Sequence, residues 1–332
     1  MQSTTPHLAP SLPPVRADAR EEIPVLDLAP YLAGKPGARE RLGAELRRAF
    51  EEIGFYFIVG HGVPQALVDA AFAEAARFHA QPLEAKLAVK LDETFAGYMP
   101  VRGSTTRHSQ INPDNKPNVN EAFFSRREHR KWPVDLPGFR ETVEAYQAAM
   151  EGLGKSLLPI YATALGLPAD HFDALFAQPS YTLRMSHYPR HDAPADNEFG
   201  LAPHTDTSFM TLLAQNKVPG LSIRLPTGRW VDAPAIDGAF LVNGGDLLRR
   251  WTNDRFLATP HRVSNRSGQE RYAIPFFFDC GAEVVMDCLP TCREAGQEPR
   301  YEPITYAAYM AWYRQLNFGQ AKDKEGVSLA AY

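Results

Sequence analysis

His204-Thr205-Asp206-Thr207-Ser208-Phe209-Met210-Thr211-Leu212-Leu213 is a run of threonine and apolar residues, the composition of an extended segment entering a buried sheet. In a strand, residues two apart point to one side, so His204 and Asp206 are expected to share a face. The same spacing recurs at His171 and Asp173, but there Pro168 and Asp170 read as a helix start, and Phe172, Leu175 and Phe176 recur at helical spacing. On a helix, residues two apart diverge by roughly 200°. That pair cannot chelate.

Fifty-four residues separate Asp206 from His261, room for several short strands and turns that return the chain to its start. His261 stands in Thr259-Pro260-His261-Arg262-Val263, with a strand expected after the proline. A lone histidine in such a run is more often a core residue, yet beside a His-x-Asp strand it becomes the third candidate ligand. Two imidazoles and one carboxylate can occupy one face of an octahedral ferrous ion and leave three positions for cosubstrate and dioxygen. His61, His79 and His187 are read as non-ligands.

A dicarboxylate cosubstrate would need its remote carboxylate desolvated and paired, a task suited to the planar fork of arginine. Arg271 opens the apolar run Arg271-Tyr272-Ala273-Ile274-Pro275-Phe276-Phe277-Phe278, where an unpaired guanidinium would be costly to bury. In Leu183-Arg184-Met185-Ser186-His187-Tyr188-Pro189, the period of two puts Arg184, Ser186 and Tyr188 on one face and His187 on the other. Three polar side chains on one face of a strand point to a wet cavity.

Working outward, residues 1–22 read as a mobile tail rich in Pro, Ser, Thr and charge. Region 23–135 holds an amphipathic helix from Arg39 to Ile53, a buried strand from Phe55 to Val59, a second helix from Pro64 to about His79, and an irregular polar stretch from about Thr94 to Pro133. Region 136–180 is a long helix containing Pro159, followed by a connection. From 181 to 286, short Val/Ile/Phe/Thr-rich runs alternate with turns, the pattern of an antiparallel barrel or double-sheet jelly roll. Region 287–332 carries a last helix from about Ile304 to Leu316.

The chain has 332 residues, 44% of them hydrophobic, and a formal net charge of −4. That balance offers no basic field for nucleic acid or anionic lipid. No apolar stretch approaches the roughly 20 residues that span a bilayer, and the first residues lack a signal-peptide core. Cys280, Cys288 and Cys292 are odd in number and contain no Cys-x-x-Cys pair, which argues against a disulfide framework or a cysteine-held metal. The expectation is a cytoplasmic protein, a monomer or weak homo-oligomer, acting on a small molecule.

Several motifs together resemble the isopenicillin N synthase-like family of non-haem iron, 2-oxoglutarate-dependent oxygenases. They are Pro203-His204-Thr205-Asp206, Gly244-Gly245-Asp246-Leu247, Trp251-Thr252-Asn253, Thr259-Pro260-His261-Arg262-Val263 and Arg271-x-Ala273-x-Pro275-Phe276-Phe277, with Ile23 to Leu28 and Gly54 to Val63 near the start. The resemblance implies an α+β chain with a mainly β core, a distorted double-stranded β-helix or jelly roll flanked by helices. It implies Fe(II) held by His204, Asp206 and His261, 2-oxoglutarate gripped by Arg271 and Tyr188, and dioxygen as co-reactant.

One departure from the family pattern stands at Ala273, where the family carries serine. Losing a hydrogen bond to a charged group, worth roughly 1.5–3 kcal/mol, would weaken cosubstrate binding by about ten- to a hundredfold unless Ser186 or water compensates. Ala273 is also the one hint of an alternative, an iron oxidase of this fold that does not use 2-oxoglutarate. A non-catalytic metal-binding jelly roll is the more distant alternative. For the substrate pocket the sequence suggests Arg184, Phe277, Tyr98, Arg102 and Phe123, and an acidic or aromatic small molecule. The expected chemistry is oxidation of a C–H bond by hydroxylation, desaturation or ring closure.

Overall fold

The computed structural model describes residues 22–106, 111, 116–190, 195–293 and 296–314. The tail expected over 1–22 lies outside them apart from Glu22, as do Gln315 and Leu316 of the expected last helix. The first part of the chain forms β1 (Val25–Asp27), α1 (Ala29–Leu32), α2 (Ala38–Glu52), β2 (Phe55–Val59), α3 (Gln65–His79), α4 (Leu83–Leu87), β3 (Gly97–Met99), β4 (Glu121–Arg126) and α5 (Phe139–Ala164). Then come β5 (Ser180–Tyr188), β6 (Leu201–His204), β7 (Met210–Gln215), β8 (Leu221–Arg224), β9 (Trp230–Asp232), β10 (Phe240–Gly244), α6 (Asp246–Trp251), β11 (His261–Val263) and β12 (Arg271–Asp279). The short pair β13 (Val285–Met286) and β14 (Ile304–Thr305) precedes α7 (Tyr306–Arg314).

Two sheets define the architecture. The larger runs β1-β2-β10-β7-β12-β5-β4-β3 and the smaller β6-β11-β8-β9. Their facing sides bury Phe55, Phe57, Leu221, Ile223, Leu241 and Val263 between them, as two inner faces of a jelly roll must. The outer side of the large sheet is covered by α2, α3 and α5. In α2, Leu42, Leu46 and Phe50 are buried at i, i+4 and i+8, so one stripe of the helix meets the sheet. Gly54 ends this helix at φ 81°, where a Cβ would collide with Leu257 O at 2.8 Å.

Two expectations change. The stretch from Thr94 to Pro133 is not wholly irregular: β4 pairs with β5 from Glu121↔His187 to Arg126↔Thr182, and β3 pairs with β4. The polar residues on β4 conceal it in the sequence, because they are satisfied by tertiary partners rather than by water. The helix expected from Pro168 is instead a series of turns, with His171 N bonding Pro168 O at 3.0 Å and Asp173 N bonding Asp170 O at 3.0 Å. Phe172 and Phe176 are nonetheless buried, packing on Phe209 and Trp251, so the aromatic spacing reported burial rather than a helix. Among the described residues, no helix is long and apolar enough to cross a membrane.

Candidate active site

In the small sheet, His261 of β11 lies directly across from His204 of β6, and their ring centroids are 4.3 Å apart. Asp206 joins them by a route that strand periodicity does not describe. β6 ends at His204, and Asp206 lies in the connection that crosses to β7 in the large sheet. That crossing is tied down by Asp246 N on Asp206 O at 2.8 Å and Leu247 N on Thr207 O at 3.3 Å. Gly245 makes the close approach possible: a Cβ there would stand 2.4 Å from Ser208 O and 2.7 Å from Asp206 O.

The Nε2 atoms of His204 and His261 each lie 3.6 Å from Asp206 Oδ1. All three ligand atoms fall within 4.8 Å of one another. His204 Nδ1 is 2.9 Å from Ala202 O and His261 Nδ1 is 3.2 Å from Thr259 O. Each Nδ1–H donating to a carbonyl leaves the Nε2 lone pair for a metal. Thr211 Oγ1 and Asn243 Nδ2 donate to Asp206 Oδ2 at 2.6 and 2.8 Å, which turns the other carboxylate oxygen toward the imidazoles.

The electrostatics suit a cation. Burial, then the neighbouring His261, pushes the His204 imidazole down to about 4. Burial raises Asp206, but the two imidazoles outweigh it and hold its carboxyl well below the usual range. His261 is lowered by burial and raised further by Asp206, with a net upward shift. An ionised carboxylate and two inward-facing nitrogens are a fitting donor set for Fe(II).

The three candidate ligands open onto a cavity whose wall also includes Arg184, Tyr188, Arg271, Pro275 and Phe277. Arg271 is 1% exposed. Its Nη2 donates to Gln215 Oε1 at 2.9 Å, and its guanidinium lies 5.0 Å over the Tyr188 ring. Nε and Nη1 have no partner. Burial lowers the Arg271 pKa, with the Tyr188 phenol opposing it. Two orphaned donors on a buried cation fit the remote carboxylate of a bound 2-oxo diacid. Ser186, opposite Ala273 in the β5–β12 register, has a buried hydroxyl that is also unpartnered.

Arg184 faces the cavity beside Pro275. Its Nη2 donates to Asn120 Oδ1 at 2.7 Å, and its guanidinium lies 5.3 Å over Phe124. The segment before β4 acts as a strap. Asn118 Oδ1 accepts the Ala202 amide at 2.9 Å, Val119 N donates to Phe199 O at 2.8 Å, and Asn120 Nδ2 donates to Gly200 O. One short segment thus holds both the Arg184 guanidinium and the strand that carries His204.

Three residues expected on the pocket wall lie elsewhere. Tyr98 and Phe123 are a cross-strand pair on the helix side of the large sheet. There the Tyr98 hydroxyl donates to Glu121, and Phe123 packs on Phe78 and Phe139. Side chains alternate along a strand, so the register puts Phe124 rather than Phe123 on the cavity side. Arg102 is exposed at φ 64° and pairs with Glu198 at 2.6 Å. Sequence reading missed Asn118, Asn120, Thr211, Gln215 and Asn243. A signal existed for the last three, since each is polar in an otherwise apolar strand.

His79, Glu121 and His187 form a second cluster with metal-ligand spacing, buried on the helix side. Lys86 Nζ donates to Glu121 at 2.8 Å and the Tyr98 hydroxyl donates to the same oxygen. An ammonium therefore already neutralises the carboxylate of this cluster.

Two family models match the chain: the 2OG-Fe(II) oxygenase superfamily over residues 179–279, and the N-terminal region of non-haem dioxygenases in morphine synthesis over residues 23–143. The chain belongs to the 2-oxoglutarate- and Fe(II)-dependent oxygenases, and is an oxidoreductase of that class. It is 34% identical over 323 residues to the 2-oxoglutarate-Fe(II) type oxidoreductase hxnY of Emericella nidulans, covering 90% of this chain and 91% of that protein. Among solved structures it is similar to Neurospora crassa T7H in complex with alpha-KG, with a TM-score of 0.82, 26% identity, and coverage of 90% and 99%. T7H has also been solved with thymine. JOX2 in complex with 2OG, Fe and JA gives a TM-score of 0.76 at 26% identity, with coverage of 91% and 86%.

Proposed function

We propose that this oxygenase oxidises a C–H bond of a small organic acid, with hydroxylation as the main outcome. His204, Asp206 and His261 would hold Fe(II), and Arg271, Tyr188 and Ser186 would hold 2-oxoglutarate. Together the bound metal and cosubstrate supply an oxidant able to take hydrogen from an unactivated C–H bond, with release of succinate and carbon dioxide.

The protein's own part is placement. Arg271 anchors the far end of the diacid in a dry pocket where Coulomb attraction is strong. Phe277 and Pro275 give the substrate body an apolar wall, and Arg184 offers a positive edge on the same face. Confinement in this cavity restricts which C–H bond approaches the metal ligands and limits access of water.

The observation that carries the acidic substrate is Arg184, a cation in the wall whose Nε has no partner. A screen of small acids for substrate-stimulated succinate release, with product masses recorded, tests the reading. A gain of one oxygen atom is expected. Stimulation by neutral molecules alone, with acids inert, would overturn it.

A further inference from the structure

Arginines packed into this protein are not treated alike: Arg249 is buried and Arg184 partly buried. Arg249, on α6, faces Asp254 at 3.2 Å and Asp246 at 3.9 Å. Arg184 is given a neutral amide instead, the Oδ1 of Asn120. Among the described residues no carboxylate lies within ion-pair distance of Arg184, and the acid that acts on it from farther off, Asp206, belongs to the metal site. Asn120 itself is fully buried, and its amide is oriented at both ends: Oδ1 accepts from Arg184 while Nδ2 donates to Gly200 O. It cannot turn over without losing both bonds.

We infer that Asn120 is a specificity-determining positioning residue, which fixes the Arg184 guanidinium in the cavity without neutralising it, so that its positive charge selects a substrate carboxylate. This rests on the acidic-substrate reading above. An aspartate at position 120 would have nearly the same shape, yet it would pair with Arg184 and cancel the field a carboxylate must find. A partly buried cation with no carboxylate at ion-pair distance is held at a cost, and that cost is relieved when an anion binds. Phe124 covers one face of the guanidinium, Asn120 takes Nη2, and the unpartnered Nε is the donor offered to an anion.

The test compares matched pairs of small monocarboxylates and their amides, benzoate with benzamide and cyclohexanecarboxylate with its amide. Binding is read from changes in the visible absorption of the anaerobic enzyme loaded with Fe(II) and 2-oxoglutarate. Wild type should prefer the acids. Asn120→Asp should lose that preference by about ten- to a hundredfold, the range of a hydrogen bond to a charged group. Arg184→Gln should lose it as well.

Asn120→Ala, which leaves the charge in place, should bind more weakly but still favour acids, and serves if the aspartate variant does not fold. Equal preference in wild type and Arg184→Gln, or in wild type and Asn120→Asp, would overturn the inference, as would a wild type that binds no acid better than its amide. Loss of the iron–2-oxoglutarate absorption itself would instead count against the site assignment.

Discussion

Ser186 and Ala273 face each other across β5 and β12, and the serine hydroxyl is buried without a partner. The next residue pair on the same face in this register is Tyr188 with Arg271. A hydroxyl absent from β12 is therefore present on the neighbouring strand, one step from the guanidinium. Ser186→Ala should raise the KM for 2-oxoglutarate by about ten- to a hundredfold, and Ala273→Ser added to that variant should restore it. Succinate formed without substrate, titrated against 2-oxoglutarate, reads both. No change in Ser186→Ala would remove this residue from the cosubstrate site.

Thr211 and Asn243 hold one oxygen of Asp206 and thereby aim the other. Thr211→Val and Asn243→Leu keep most of the volume and lose the donor. Partners of this kind typically contribute about ten- to a hundredfold in metal affinity, so iron titration of activity should shift to higher concentration by that factor. An unchanged iron requirement in both variants would show that the carboxylate aims itself.

Asp279 ends β12 and accepts Phe209 N at 2.7 Å and the Tyr306 hydroxyl at 3.0 Å. Burial pushes its carboxyl from the usual 3.8 up to about 7. Between those values the folded chain keeps a proton that the unfolded chain has released, so this group makes stability fall as pH rises through the window. Relative to wild type, the melting temperature of Asp279→Asn should rise more, or fall less, as pH increases between 3.8 and about 7. Parallel curves for the two proteins would mean that Asp279 ionises normally in the fold.

Local chemistry along the chain made much of the site legible. His204 and Asp206 stand out as candidate metal ligands in an apolar run, Arg271 as a cation too costly to bury unpaired, and Arg184, Ser186 and Tyr188 as one polar strand face. The aromatic spacing around Phe172 reported burial but not backbone form, because turns and helices can hide the same rings.

What the sequence alone determined was the candidate donor set and the polar face of β5, since residue type and the period of two are local properties. Only the tertiary structure decided that His261 lies across from His204, that Phe124 rather than Phe123 stacks on Arg184, and that Asn118 and Asn120 hold both the strand carrying His204 and Arg184. Those facts depend on cross-strand register and on a chain crossing between two sheets. Both are settled by contacts between residues far apart in sequence, which no local pattern encodes.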